Sequence, residues 1–197
     1  MPEKFGALVL FALVMCGTPG PNVVMITAAA ANFGFRRSVA QMTGVTFGFW
    51  LSILAAGLGL ASLFEAEPRL HTALKYAGAA YLLYLAWRIA RADAASADAT
   101  RARPLTFVEG MLVTWLNPKG WVTAFGALAA FTAPGPDLLL QVTIVATVLA
   151  AACLLSLALW ALFGVAIARF LRRPRARLAF NGTMAGLLVL SLVPVFW

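Results

Sequence analysis

The sequence TPGPN, Thr18 to Asn22, interrupts the first long apolar run of the chain. Proline lacks the N–H for its own helical hydrogen bond and clashes with the carbonyl group four residues earlier. Pro19 and Pro21 therefore predict a broken helix in which the carbonyl groups of Met15 and Gly17 lose their usual donors. This break decides the fold, because backbone groups freed within an apolar segment must find other partners.

The composition indicates an integral membrane protein. Of its 197 residues, 62% are hydrophobic and 11% are charged, whereas soluble domains have about 25% charged residues. Six apolar segments are long enough to span a bilayer, with approximate bounds 5–31, 38–64, 72–90, 107–131, 138–168 and 179–196. We therefore expect a single all-α transmembrane domain over residues 1–197, with six transmembrane helices in the lipid bilayer.

The positive charges predict the orientation of the protein. Basic residues stay on the cytoplasmic side of a membrane, and six spans with both termini in the periplasm place three arginine-rich connections there. Eleven of the fifteen basic residues lie in these connections: Arg36, Arg37, Arg88, Arg91, Arg101, Arg103, Arg169, Arg172, Arg173, Arg175 and Arg177. The net charge of +8 is therefore interpreted as membrane orientation, and no nucleic-acid partner is expected.

A polar linker at about 92–104 divides the chain into halves of about 1–92 and 104–197. Each half holds three predicted spans, and an odd number of spans makes the halves face opposite ways, as in inverted-repeat transporters. The fourth segment contains Pro118 near its midpoint, which frees the carbonyl group of Thr114. The first and fourth helices are thus both predicted to break near the middle of the membrane.

The two breaks predict a binding site for a small zwitterionic molecule. The N-terminus of a restarted helix suits a carboxylate, and freed carbonyl groups suit an ammonium group or a cation. The alternative is that the prolines only bend the helices and bind nothing. The candidate substrate-binding residues are Thr18, Pro19, Gly20, Pro21, Asn22, Thr114, Asn117, Pro118 and Lys119.

Lys119 places an ammonium group near the predicted middle of the bilayer, where an unpaired charge is costly. Its expected contacts are Asn22, carbonyl groups of the first break, or a substrate carboxylate, and a purely structural tie between the two broken helices stays open. Glu109 is the only acid in the same segment. Because it lies roughly 15 Å away along a helix, it cannot pair with Lys119 within that helix. It is a candidate for proton coupling, or simply a headgroup-level acid facing the arginines.

The remaining motifs are less specific. Cys16 and Cys153 are interpreted as core thiols, and their surroundings predict neither a metal site nor a cofactor. No ATP-binding loop or hydrolase motif is present, so an enzyme is not expected. Two G-x-x-x-G pairs, Gly44 with Gly48 and Gly182 with Gly186, permit close helix contact. A homodimer is conceivable for so small a membrane protein, but no helix face indicates it.

Five stretches together resemble the LysE/RhtB family of amino-acid exporters: PGPN, GFRRSVAQMTGVTFG, GAAYLLYLAWRIAR, FVEGMLVTWLNPKG and RLAFNGTMAG. The resemblance implies an antiporter of the bacterial inner membrane that exports amino acids or close derivatives and is driven by an ion gradient, with the proton as the expected coupling ion. It assigns the family's motif positions to Pro19, Gly20, Pro21, Asn22, Asn117, Pro118 and Lys119. The alternative is an exporter or channel for cations or another small solute on the same scaffold.

Overall fold

The computed structural model describes residues 2–60, 68–91, 103–171 and 173–193, and this part of the chain contains eight α-helices and no strand. A π-helical turn, Ala56–Leu60, extends the third helix. The predicted linker at about 92–104 lies almost wholly outside the described residues. In chain order, the helices are α1 (Pro2–Gly17), α2 (Pro21–Phe33), α3 (Phe35–Ala55), α4 (Pro68–Ala90), α5 (Phe107–Trp115), α6 (Pro118–Phe131), α7 (Leu138–Ala168) and α8 (Pro174–Leu190).

Within the described residues, two stretches are long and apolar enough to cross a membrane as single helices, namely Phe35–Gly59 and Leu138–Ala168. The bent pair of α1 and α2, whose axes differ by 58°, makes a third if it is counted as one span. The predicted all-helical architecture is thereby confirmed. The number of six spans and their arrangement as repeats stay predictions.

Both predicted helix breaks are present. The first helix ends at Gly17 and α2 begins at Pro21, while α5 ends at Trp115 and α6 begins at Pro118. Proline is well suited to the first position of a helix, because the N–H that it lacks would have no partner there. The prolines therefore both stop one helix and start the next.

The long helix α7 supplies donors to the carbonyl groups that the first break frees. The hydroxyl group of Ser156 donates to the carbonyl oxygen of Cys16 at 2.8 Å, and the indole N–H of Trp160 donates to that of Gly17 at 3.3 Å. Gly17 is one of the two carbonyls predicted to be free. Its partner comes from a residue far along the chain, one helical turn from Ser156.

The second break is stabilised more locally. The indole N–H of Trp121 donates to the carbonyl oxygen of Trp115 at 2.7 Å. The carbonyl of Thr114, predicted to be free, instead accepts the N–H of Asn117 at 3.2 Å. Asn117 can reach back in this way because the chain turns tightly before Pro118.

The hydrophobic core has two parts. The larger one lies where α1, α2 and α3 pack against α7, and Ile26, Ile53 and Leu149 are at its centre. The smaller one includes Leu82 and Leu188, where α4 packs against α8. The first break lies against the larger core, and this places it beside α7.

Helices α3 and α5 approach very closely at the first glycine pair. A Cβ atom on Gly44 would overlap the carbonyl group of Phe107, and one on Gly48 would lie 2.9 Å from the Cα atom of Met111. By contrast, a Cβ atom on Gly182 or Gly186 would meet nothing within 4 Å. Only the first of the two G-x-x-x-G pairs therefore serves a helix contact among the described residues.

We expect the substitution Gly44→Ala to destabilise the protein by about 1–3 kcal/mol, the usual cost of overpacking, because the methyl group forces α3 away from α5. The matched substitution Gly186→Ala adds the same methyl group on an open face of α8 and should not lower stability. Thermal unfolding in detergent compares the two variants with the wild type. Equal midpoints for Gly44→Ala and Gly186→Ala would contradict the close contact.

We also expect Ser156→Ala to cost about 1–3 kcal/mol, because it leaves the carbonyl group of Cys16 without its side-chain donor. Ser52→Ala is the matched control: Ser52 is also buried, but its hydroxyl group donates to Phe49 within the same helix at 2.8 Å. Removing that local bond leaves no carbonyl group at a helix break without a donor, so the loss of stability should be smaller. The comparison uses the same unfolding assay, and a larger loss for Ser52→Ala would contradict the role given to Ser156.

Candidate functional site

A cavity of about 50 Å³ lies between the two breaks. Its wall includes the end of α1, the start of α2 and the start of α6, with contributions from α3 and α7. The polar side chains on the wall are Thr18, Asn22, Asn117, Lys119 and Thr123, and the larger apolar ones are Met15, Val23, Phe49 and Leu157. Five of its twelve lining residues have polar side chains, and its volume suits a small group or one or two water molecules.

The structure brings five of the nine candidate substrate-binding residues to this cavity: Thr18, Gly20, Asn22, Asn117 and Lys119. Pro19, Pro21 and Pro118 do not line it and shape the backbone around it. Thr114 is buried, and its hydroxyl group donates to the carbonyl groups of Gly110 and Val45. A role in substrate binding stays a prediction for all nine residues.

Lys119 joins the two breaks directly. Its ammonium group donates to the carbonyl oxygen of Thr18 at 2.7 Å. Among the contacts expected for Lys119, the structure thus contains the one with a carbonyl group of the first break. A structural tie between the broken helices and a place in the binding site are both compatible with this bond.

Asn117 fixes the start of α6. It is 3% exposed, and its side-chain oxygen accepts the N–H of Lys119 at 3.1 Å as the N-cap of the helix. This cap uses one of the N–H groups that a helix N-terminus leaves free. It also holds the backbone from which the lysine side chain reaches towards Thr18.

The start of α2 is not capped in this way. Its N-cap residue is Gly20, which is extended (φ −163°) and has no side chain to accept a hydrogen bond. The side-chain oxygen of Asn22 is buried at the cavity and accepts no hydrogen bond from any residue that the structure describes. The first turn of α2 therefore presents uncapped N–H groups and an orphaned amide oxygen beside Lys119.

The charge of the cavity is positive. Lys119 contributes an ammonium group and the N-terminus of α2 contributes a partial positive charge, while no residue on the described wall is an aspartate or a glutamate. Within the described ranges there is also no cluster of three or more His, Cys, Asp or Glu side chains that could hold a metal ion. The cavity is chemically suited to a carboxylate or another anionic group.

Seven of the twelve wall residues are not among the sequence candidates, and two of these seven, Cys16 and Thr123, have thiol or hydroxyl side chains. Cys16 packs against the larger core, as expected of a core thiol, and also lines the cavity. Cys153 is buried beside it, as expected. The hydroxyl group of Thr123 donates to the carbonyl group of Lys119 at 2.8 Å. The position of Thr123, one helical turn after Lys119, was a signal that could have identified it.

Glu109 lies in the first turn of α5 and does not line the cavity. It forms a capping box with Thr106: its carboxylate accepts the N–H of Thr106 at 2.7 Å, and its own N–H donates to the hydroxyl group of Thr106 at 3.2 Å. Such a box stabilises a helix N-terminus. This position fits the headgroup-level interpretation of Glu109, and its role in proton coupling stays a prediction.

The same carboxylate pairs with Arg103 in two hydrogen bonds of 2.6 and 2.9 Å. The pair is largely exposed, and the carboxylate raises the pKa of the Arg103 guanidinium, chiefly by hydrogen bonding. Exposed ion pairs of this kind contribute little to stability, about 0–1 kcal/mol. Its main structural effect is to orient the segment that enters α5.

Comparison with known proteins gives a consistent result over almost the whole chain. Residues 13–194 match the family described as LysE type translocator. The chain is 32% identical over 197 residues to cysteine/O-acetylserine efflux proteins of Escherichia coli strain K12 and Shigella sonnei, with 100% of this chain and 99% of each relative covered. No solved structure matches it. The helix breaks, the cavity and these matches agree, and the chain belongs to the LysE type translocator family.

Proposed function

We propose that the protein is a secondary-active transporter that exports amino acids or close derivatives across the bacterial inner membrane in exchange for protons. The observation that carries this proposal is the bond from Lys119 to the carbonyl group of Thr18, which closes a positive cavity between two broken helices. Transporters commonly place their substrate site at such breaks. The relatives named as efflux proteins for cysteine and O-acetylserine support an amino acid as the substrate.

The cavity offers different partners to the two ends of an amino acid. The substrate carboxylate binds at the uncapped N-terminus of α2, where backbone N–H groups can donate to it. The substrate ammonium group binds at the C-terminal end of α1, where the carbonyl of Thr18 points at the cavity. Because the cavity of about 50 Å³ is too small for a whole amino acid, the helices must move apart to admit one. Cysteine and O-acetylserine are the first substrates to test.

The proposed topology is six spans in two inverted halves, with both termini in the periplasm. The helix contacts support it: α1 packs against α7, and its counterpart in the second half, α5, packs against α3. Exchanging the halves converts one contact into the other. Transport then proceeds by rocking of the two halves around the site between the breaks.

A proton gradient supplies enough free energy for this export. One charge that crosses a membrane potential of 100 mV releases about 2.3 kcal/mol, which corresponds to a concentration ratio of roughly fifty. One proton entering for each amino acid leaving would therefore sustain a useful outward gradient.

The alternative function is export or channel transport of cations or another small solute. The absence of acidic side chains on the described cavity wall makes it a poor cation site, because buried cations need anionic or several neutral oxygen ligands. The same wall favours a substrate that brings its own carboxylate. Amino-acid export is therefore the function that this geometry supports best.

The proposed function predicts saturable counterflow of amino acids. The purified protein, reconstituted in liposomes loaded with unlabelled cysteine, O-acetylserine or other amino acids, should take up the labelled compound transiently and stereoselectively. Because a channel cannot produce counterflow, this assay separates the two mechanisms. If correctly folded protein gave no flux for any amino acid, the proposal would be wrong and cation or other solute export would be tested next.

We expect Gly20→Ala to lower the counterflow rate by about tenfold or more, a typical effect of one misplaced methyl group in a binding pocket. The new Cβ atom would lie 2.9 Å from Cδ and 3.2 Å from Nζ of Lys119. The extended backbone of Gly20 accepts alanine without strain, so the methyl group fills the cavity and displaces the lysine. Gly182→Ala, where nothing lies within 4 Å, is the matched control. Equal rates for both variants would place the substrate elsewhere.

A further inference from the structure

The carbonyl groups at the end of α1 have donors of two kinds. The carbonyl groups of Cys16 and Gly17 accept hydrogen bonds from neutral side chains of α7, namely Ser156 and Trp160. The carbonyl group of Thr18 accepts from the charged ammonium group of Lys119. Both Thr18 and Lys119 line the cavity. The bond between them is therefore the one that an entering substrate meets.

A substrate ammonium group needs the same acceptor. The described cavity wall has no carboxylate to receive it. Of the neutral oxygens there, that of the Asn22 side chain lies at the positive N-terminus of α2, whereas the carbonyl at the end of α1 has the partial negative charge of a helix C-terminus and is the more favourable partner. In the structure, the Lys119 ammonium already holds the carbonyl of Thr18 at 2.7 Å. Two ammonium groups at one carbonyl would repel each other.

We propose that Lys119 is the proton-coupling residue: its ammonium group occupies the substrate-ammonium position in the empty transporter and must lose its proton before an amino acid binds. This inference rests on the proposed transport function and adds the coupling step to it. Lys119 acts as a tethered substitute for the substrate ammonium group. Amino acid and proton then compete for one carbonyl group, and such competition produces exchange.

The proton balance of the cycle is simple. On the cytoplasmic side, the Lys119 ammonium gives one proton to water, its nitrogen keeps the electron pair, and the substrate ammonium donates to the carbonyl of Thr18. On the periplasmic side, the amino acid leaves and the Lys119 amine takes one proton from water. The protonated, empty protein returns. One proton enters for each amino acid exported, and no other reactant is needed.

The surroundings of Lys119 permit this change of charge. The titratable groups that face it are the thiols of Cys16 on α1 and Cys153 on α7, and the wall residues of α2, α3 and α6 add no other such group. Partial removal from water disfavours the charged form of an amine. Glu109, by contrast, is fixed at the surface by Arg103 and does not face the cavity.

Two substitutions at Lys119 test the proposal in proteoliposomes that are acidic inside, using the amino acid that gives wild-type counterflow. Lys119→Met removes the proton and leaves the carbonyl of Thr18 open, so pH-driven accumulation should fall to a ratio of one, and any counterflow that remains should no longer change with pH. Lys119→Arg keeps a charge that cannot be removed, so both activities should be lost. Lys4→Met, on an exposed part of α1, is the matched control and should retain both activities.

A measurement on the wild type needs no variant. Binding of the amino acid to detergent-solubilised protein in weak buffer should release about one proton per substrate bound, by linkage between the two ligands. A pH indicator measures this release. The apparent affinity should also rise with pH, because deprotonation of Lys119 vacates the binding position.

Several results would overturn the inference. They are undiminished pH-driven accumulation in Lys119→Met, absence of proton release in the wild type, or loss of coupling in Glu109→Gln while Lys119→Met stays coupled. If the wild type showed counterflow in each of these cases, the transport function would stand without this coupling residue. Absence of wild-type counterflow would remove the transport function and the inference together.

Discussion

Backbone carbonyl groups that lose their helical donors must find others, and most of the site follows from this requirement. Within hydrocarbon, each unsatisfied group costs several kcal/mol. The first break is tolerated because α7 packs against α1 and brings Ser156 and Trp160 to the carbonyls of Cys16 and Gly17. The next carbonyl, that of Thr18, is reached only by a side chain from the other half of the chain. The break thus creates both a need for tertiary contacts and a place for a polar ligand.

The hydrogen bond from Lys119 to Thr18 joins the two halves of the chain, and it is also a contact that can be broken when the halves move. A hydrogen bond from one flexible lysine side chain holds the breaks together at the cavity, whereas the closest helix contact, between α3 and α5, depends on glycines that leave no room for a side chain. The first kind of contact can be exchanged for a ligand, and the second cannot. Because α3 and α5 belong to opposite halves, a rocking motion would open the molecule at the lysine and use the packing around Gly44 and Gly48 as its pivot.

The sequence predicts the parts of the site that depend on local rules. Proline chemistry locates both breaks, and the cost of a buried charge identifies Lys119 as a residue in need of a partner. The sequence does not identify which partner, because Thr18 lies about a hundred residues away and is brought close only by packing. The expectation that the carbonyl group of Thr114 is free is wrong, because in the turn before Pro118 this carbonyl accepts a hydrogen bond from the N–H of Asn117. The two G-x-x-x-G pairs look alike in sequence, yet only the packing of α3 on α5 gives one of them a close contact.

The two breaks differ in the order of their proline and asparagine residues. In the first, asparagine follows proline (Pro21-Asn22); in the second, it precedes proline (Asn117-Pro118). Asn117, which precedes its proline, is the N-cap of α6, and its side chain accepts a backbone N–H of that helix. Asn22 follows its proline, so the N-cap of α2 is Gly20, which has no side chain that could accept a hydrogen bond. At the second break, the helix N-terminus is therefore capped by its own sequence, and the break contributes the charged side chain of Lys119 to the cavity. The first break contributes backbone N–H groups that have no cap. In the proposed site, both ends of the amino acid therefore meet the open backbone groups of the first break, and the second break contributes Lys119.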